Sequence, residues 1–228
     1  MRVPNDTGLI AFQNWTLRVR TAPQRPARLL LLLHGWTGDE NSMWVFVRNF
    51  SLDYWIVAPR APHVAEPSGY SWRVPRAARA SQPGPLRPAR GGPSLEDFHS
   101  SADSLIALVD DYAAQNQIDA SQFDMIGFSQ GAALTNVVAL LYPERVRRAG
   151  VLAGFLPAES ESLIEKRPLN GKPFFVAHGT LDEMVKIEDA RQSVELLECA
   201  GAQVTYYEDE VGHKLGANGL RALEEYFV

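Results

Sequence analysis

"MIGFSQGAAL", residues 125–134, ends an apolar run with a serine set between two glycines and continues into small residues that tolerate a helix. The pattern reads as a strand, a sharp turn at Ser129 and a helix, which is the repeating unit of an α/β sheet. By itself it decides little. With Gly and Ser each near roughly 7% of an average chain, Gly-x-Ser-x-Gly arises by accident in about one chain of this length in twelve. The surroundings must decide, because serine chemistry on such a turn needs an acid and a histidine further along in a fixed order.

Working outward, short apolar runs alternate with stretches of helical period. Strands are expected at 9–13, 16–20, 29–33, 55–58, 123–126, 149–152, 174–177 and 204–207, and helices at 95–114, 131–141, 187–200 and 219–227. Leu105, Leu108, Val109 and Tyr112, for example, fall on one helical face. The first two strands, separated by Asn14 and Trp15, read as a hairpin at a sheet edge. The later ones are too continuously apolar for a wet face and belong in a parallel sheet covered on both sides. The fold class is therefore α/β, a mostly parallel twisted sheet with helices on both faces, in a single domain over 1–228.

The bulk numbers agree with that class. A chain of 228 residues, 46% hydrophobic and 21% charged, is globular material with enough length for a sizeable core. A formal charge of −5 argues against nucleic acid as a partner. The single cysteine, Cys199, excludes a disulfide framework and a cysteine-built zinc site, and is expected to pack inside a helix. The N-terminal stretch "MRVPNDTGLIAF" has no apolar run of signal-peptide length, and no run approaches the roughly 20 apolar residues that cross a bilayer. A cytoplasmic protein without stable membrane insertion is expected.

One segment breaks the rhythm. Residues 67–95, "PSGYSWRVPRAARASQPGPLRPARGGPSL", hold five arginines, Arg73, Arg76, Arg79, Arg87 and Arg90, and no acid. Prolines and glycines exclude a long helix or a central strand there. It reads as a solvated surface loop in an arginine-favouring chain, or as a flap that attracts acidic substrates or membrane surfaces.

A serine hydroxyl is a poor nucleophile until a base takes its proton, and the base must be held in the right tautomer by a third group. In "KPFFVAHGTLDEMV" a buried strand runs into a loop carrying Asp182, with Glu183 as its nearest rival and a loop cap as the alternative role. In "TYYEDEVGHKLG" a short loop delivers His213. His34 and His178, each before a glycine after a strand, are expected to support loop backbone, and His63 and His99 to lie in a loop and a helix away from the chemistry. Ser129, Asp182 and His213 thus stand in the order a strand-end triad requires, and Gly127 and Gly131 supply the room that a strained turn demands. "LLLLHGWTG", 30–38, places a His-Gly turn after another buried strand, where backbone amides of Trp36 and Gln130 would form an oxyanion hole. No HExxH or similar spacing suggests a metal.

Together "LHGWTGDE", "APRAPH", "GYSW", "GFSQGAAL", "LAGFLP", "HGTLDEMV" and "GHKL" resemble the phospholipase/carboxylesterase family of α/β-hydrolases, which includes acyl-protein thioesterases and small carboxylesterases. The resemblance runs from about Leu30 to His213. It implies the α/β-hydrolase fold, with Ser129 as nucleophile, Asp182 as orienting acid, His213 as base, and Trp36 and Gln130 as the oxyanion amides. It further implies that Trp72 lies near the acyl pocket, with loop anchoring as the alternative, and that Phe155 lines the pocket, with core packing as the alternative. Arg73 after the tryptophan, where the family usually has an aromatic or acidic residue, and Lys186 after Val185, near where a proline is usual, depart from the pattern. The expected activity is a cofactor-free and metal-free serine carboxylesterase on short-to-medium acyl esters, with a thioesterase or lysophospholipase as the enzymatic alternative and a non-catalytic binding protein as the remote one. A small-molecule acyl ester is the expected partner, and the sequence leaves room for a homodimer.

Overall fold

Leu29 to Leu33 show why the sheet is central. Leu29, Leu31 and Leu33 pack into one apolar cluster with helices over it, whereas Leu30 and Leu32 point into a second cluster on the opposite face. Alternation with period two, buried on both sides, is what a run of leucines in a middle strand provides. The computed structural model of the protein describes residues 4–23, 26–74 and 92–227.

Ten strands and five α-helices are found among the described residues. β1 (Gly8–Phe12) and β2 (Trp15–Arg20) form the hairpin, followed by β3 (Arg28–Leu33), a 3-10 turn (Ser42–Phe46) and β4 (Tyr54–Pro59). A small ribbon of β5 (His63–Val64) and β6 (Tyr70–Ser71) precedes α1 (Glu96–Asn116), β7 (Phe123–Phe128), α2 (Gln130–Leu141), β8 (Val146–Leu152) and α3 (Glu161–Ile164). The chain ends with β9 (Pro173–Gly179), α4 (Ile187–Cys199), β10 (Gln203–Asp209) and α5 (Ala217–Phe227). The main sheet has the order β1-β2-β4-β3-β7-β8-β9-β10. Its first two pairings are antiparallel and the remaining ones parallel. α1, α2 and α4 cover one face, and the 3-10 turn with α5 covers the other. No helix among the described residues is long and apolar enough to cross a membrane.

Three details differ from expectation. The hairpin closes through Gln13 and Asn14, with Phe12 paired to Trp15 and Gln13 at φ 49°, so Trp15 belongs to the strand. β10 lies at the sheet edge, and its residues alternate between exposed and half-buried over most of its length, so it has a wet face that the other parallel strands lack. Cys199 is exposed, because Ser193, Leu197 and Ala200 set the inner face of α4 and its neighbourhood and position 199 falls outside it.

At the end of the sheet remote from Ser129, the wholly buried Asp124 of β7 fastens three strands. It accepts two hydrogen bonds from Arg147, at 2.8 and 2.5 Å, one from Arg148 at 3.3 Å and one from the Tyr54 hydroxyl at 2.8 Å. Burial first, and then the Asp124 charge, push the Tyr54 phenol up to about 12.

Of the arginine-rich segment, 75–91 with Arg76, Arg79, Arg87 and Arg90 lies outside the described residues, and with it most of the expected loop or flap. Arg73 pairs with Asp97 of α1 at 3.0 Å.

Candidate active site

The loops that follow β3, β7, β9 and β10 gather on one rim, the carboxyl ends of parallel strands, where open α/β sheets place their ligands. Ser129 sits between the last residue of β7 and the first of α2 with φ 54° and ψ −115°. A non-glycine residue there is strained by roughly 1–3 kcal/mol and persists only when its surroundings hold it. They do so by close packing of backbone. A Cβ on Gly127 would come within 2.2 Å of Gly131 O, and a Cβ on Gly131 within 2.1 Å of Leu33 O. The Ser129 amide donates to Leu152 O at 2.9 Å, tying the turn to β8. Both glycines that the sequence singles out are therefore required by contact.

Asp182 has a fully buried side chain. Its Oδ1 accepts the amides of Met184 and Val185 at 2.9 and 3.0 Å, and its Oδ2 faces His213 Nδ1 at 2.7 Å. Burial alone pushes this carboxyl up, but the Val185 amide, His213 and the Met184 amide together outweigh it and hold the group below its ordinary value. The rival Glu183 is exposed and makes no hydrogen bond among the described residues. The two loops are sewn together: Thr180 donates to Asp209 O at 2.8 Å and Leu181 to Val211 O at 3.0 Å. Gly179 permits it, since a Cβ there would lie 2.2 Å from Val211 O and 2.3 Å from Gly212 O.

His213 rests against Phe128, ring centroids 5.0 Å apart, and Phe128 stacks on Phe46 at 5.7 Å. No hydrogen bond joins the Ser129 hydroxyl to His213 among the described residues; Phe128, next to Ser129 in the chain, packs against the His213 ring. The structure thus brings Asp182 and His213 into direct contact and sets Ser129 on the adjoining turn.

The amides of Trp36 and Gln130 find no acceptor among the described residues, and Gln130 opens α2, whose N-terminal dipole favours negative charge. The turn after β3 is built by His34, which receives the Ala61 amide on Nε2 at 3.0 Å and donates from Nδ1 to Gly35 O at 2.7 Å. Trp72 is wholly buried, donates its indole N–H to His34 O at 2.8 Å and packs 5.1 Å from the His34 ring. That is the loop-anchoring position of the two considered. The Gln130 side chain has work that sequence reasoning missed: its Oε1 accepts the Trp72 amide at 2.8 Å, clamping "GYSW" over the turn. Nothing in the motif itself signals a partner 58 residues away.

Phe155 is half-buried on a cavity of about 380 Å³ that it shares with Leu156, Pro157, Met184, Val185 and Leu196. The cavity adjoins the site through Met184 and Val185, whose amides hold Asp182. Trp36, Leu181 and Met184 stand exposed on the rim loops, at 52%, 58% and 68%.

The chain is 32% identical over 108 residues to Acyl-protein thioesterase 1 of Debaryomyces hansenii, covering 47% of each protein. It is 32% identical over 123 residues to Carboxylesterase SOBER1 of Arabidopsis thaliana, covering 53% of each. The aligned stretches thus span about half the length of these curated relatives. Among solved structures, the crystal structure of esterase PE8 is similar with a TM-score of 0.75 at 25% identity, over 91% of this chain and 95% of that one. The fold is that of the α/β-hydrolases. The sequence signature described as Phospholipase/Carboxylesterase matches residues 15–227, and the chain belongs to that family.

Proposed function

We propose that this protein is a serine carboxylesterase that hydrolyses short-to-medium acyl esters through an acyl-enzyme on Ser129. The observation that carries the reading is the 2.7 Å contact of His213 Nδ1 with the buried Asp182 carboxylate, on the rim where Ser129 occupies its strained turn. With Nδ1 held by Asp182, the free lone pair of His213 is on Nε2, the nitrogen a base needs. His213 takes the Ser129 proton as the hydroxyl attacks the acyl carbonyl, and the amides of Trp36 and Gln130 hold the oxyanion. Imidazolium then protonates the leaving alcohol, and water releases the acyl group by the same route in reverse. Hydrogen bonds of this kind are often loose without substrate and tighten in the Michaelis complex. Exposed apolar side chains at Trp36, Leu181 and Met184, with Phe155 on the adjoining cavity, suit an acyl substrate better than a polar one. Trp72 serves by holding the turn after β3.

Thioester hydrolysis uses the same groups, and the similarity to Acyl-protein thioesterase 1 favours it as the second reading. A series of nitrophenyl esters from acetate to laurate, run beside matched thioesters with Ser129→Ala as control, separates the two. Higher kcat/KM on acetate to hexanoate esters supports the carboxylesterase. A preference for thioesters or for laurate shifts the assignment, and equal rates in Ser129→Ala remove it.

A further inference from the structure

His178, next to last in β9, shares the "HGTLD" stretch with Asp182, and its side chain is completely buried. Its Nε2 stands 2.8 Å from Val185 O and 3.4 Å from Asp182 Oδ2. A carbonyl only accepts, so the Val185 contact places the ring proton on Nε2. The same nitrogen lies near the carboxylate oxygen that faces His213, but its hydrogen bond is to Val185 O. Nδ1 is then a bare acceptor, buried and without a partner among the described residues. An unpaired buried acceptor is destabilising, and an apolar ring of similar size would fill the space without it. What the imidazole adds over an apolar ring is its hydrogen bond to Val185 O, on the turn that carries the amides holding Asp182.

We infer that His178 is a positioning residue for the Asp182–His213 pair, a role that rests on the triad proposed above. Asp182 Oδ1 is held by the amides of Met184 and Val185, so the carboxylate is only as fixed as the turn that carries those amides. His178 pins that turn by its last carbonyl, and so steadies the Met184 and Val185 amides that keep Asp182 turned to His213. Other ionisable groups facing it are Asp182 on its own loop, His213 across the joined loops, and Glu208, its register partner in β10. Glu208 is held at 2.8 Å by both forks of Arg191.

The first test needs no substitution: 15N spectra of the imidazoles are expected to show His178 protonated on Nε2, and a proton resident on Nδ1 overturns the inference. In His178→Phe, kcat on nitrophenyl butyrate is expected to fall about 10- to 100-fold with KM within about twofold. His178→Gln, whose carboxamide N–H can reach Val185 O, should recover activity to within about threefold of the parent. Unchanged kcat in folded His178→Phe overturns the inference, as do equal losses in both variants. If His178→Phe does not fold, His178→Gln decides alone: a downfield His213 Nδ1 proton like the parent's supports the role and its loss overturns it. If the parent hydrolyses nothing, the proposed function fails separately. The same proton then decides: faster exchange in His178→Phe supports positioning, and an unchanged resonance contradicts it.

Discussion

Asp182 turns one carboxylate oxygen to His213 at 2.7 Å and the other to the amides of Met184 and Val185, so its orientation is set from two sides. Asp182→Asn keeps the shape but offers an amide where the imidazole must donate, favouring the wrong tautomer. We expect kcat on nitrophenyl butyrate to fall about 10³- to 10⁴-fold with little change in KM, measured under saturating ester.

The same carboxyl links stability to pH. Its folded value lies below the ordinary one, so it contributes stability that is present above the ordinary carboxylate range and is lost as pH falls through the folded value. Melting temperatures of the parent and of Asp182→Asn are therefore expected to differ most near neutrality and to converge as pH drops below about 4. A gap that stays constant from neutral to acid would contradict the hydrogen-bonded carboxylate.

Gly127 and Gly131 meet backbone, which cannot swing aside as a side chain can. Gly127→Ala and Gly131→Ala should each destabilise the protein by about 1–3 kcal/mol or more in denaturant unfolding, with loss of esterase activity in what remains folded. An alanine tolerated at either position without loss of activity would mean the turn at Ser129 is not as tightly closed as described.

Away from the rim, Asp124→Ala leaves Arg147, Arg148 and the Tyr54 hydroxyl without their shared acceptor. Both guanidinia keep some access to water, with side chains 35% and 18% exposed, so the loss should sit near the low end for a broken buried ion pair, about 3 kcal/mol. Since this cluster lies at the opposite end of the strands from Ser129, kcat of the folded fraction should be unchanged. Urea unfolding beside a turnover assay checks both halves.

Much of this was legible in the sequence because periodicity reports burial. The strands from "RLLLLL" to "PFFVAHG" are buried on both faces, and apolar continuity announces that. β10 was harder: Tyr206 and Tyr207 look apolar, yet an edge strand exposes every other residue whatever its composition. Cys199 misled in the same way, since residue type suggests burial but helical phase decides it. At the site, order and strand ends point to Ser129 and His213, and the choice of Asp182 over Glu183 rests also on the family resemblance. The Gln130 clamp on Trp72, the closeness of Gly179 to the 211–212 backbone and the reach of His178 to Val185 all depend on loops meeting in space, which no local pattern encodes.

The central claim is that Ser129 is an activated nucleophile, and covalent capture tests it most directly. The folded protein would be treated with a fluorophosphonate probe and the adduct located by peptide mass, with His213→Ala and Ser129→Ala in parallel. Stoichiometric labelling on Ser129, slowed about 10³-fold or more in His213→Ala and absent in Ser129→Ala, is the expected result. A folded protein whose Ser129 stays unlabelled, or is labelled equally fast without His213, would contradict it.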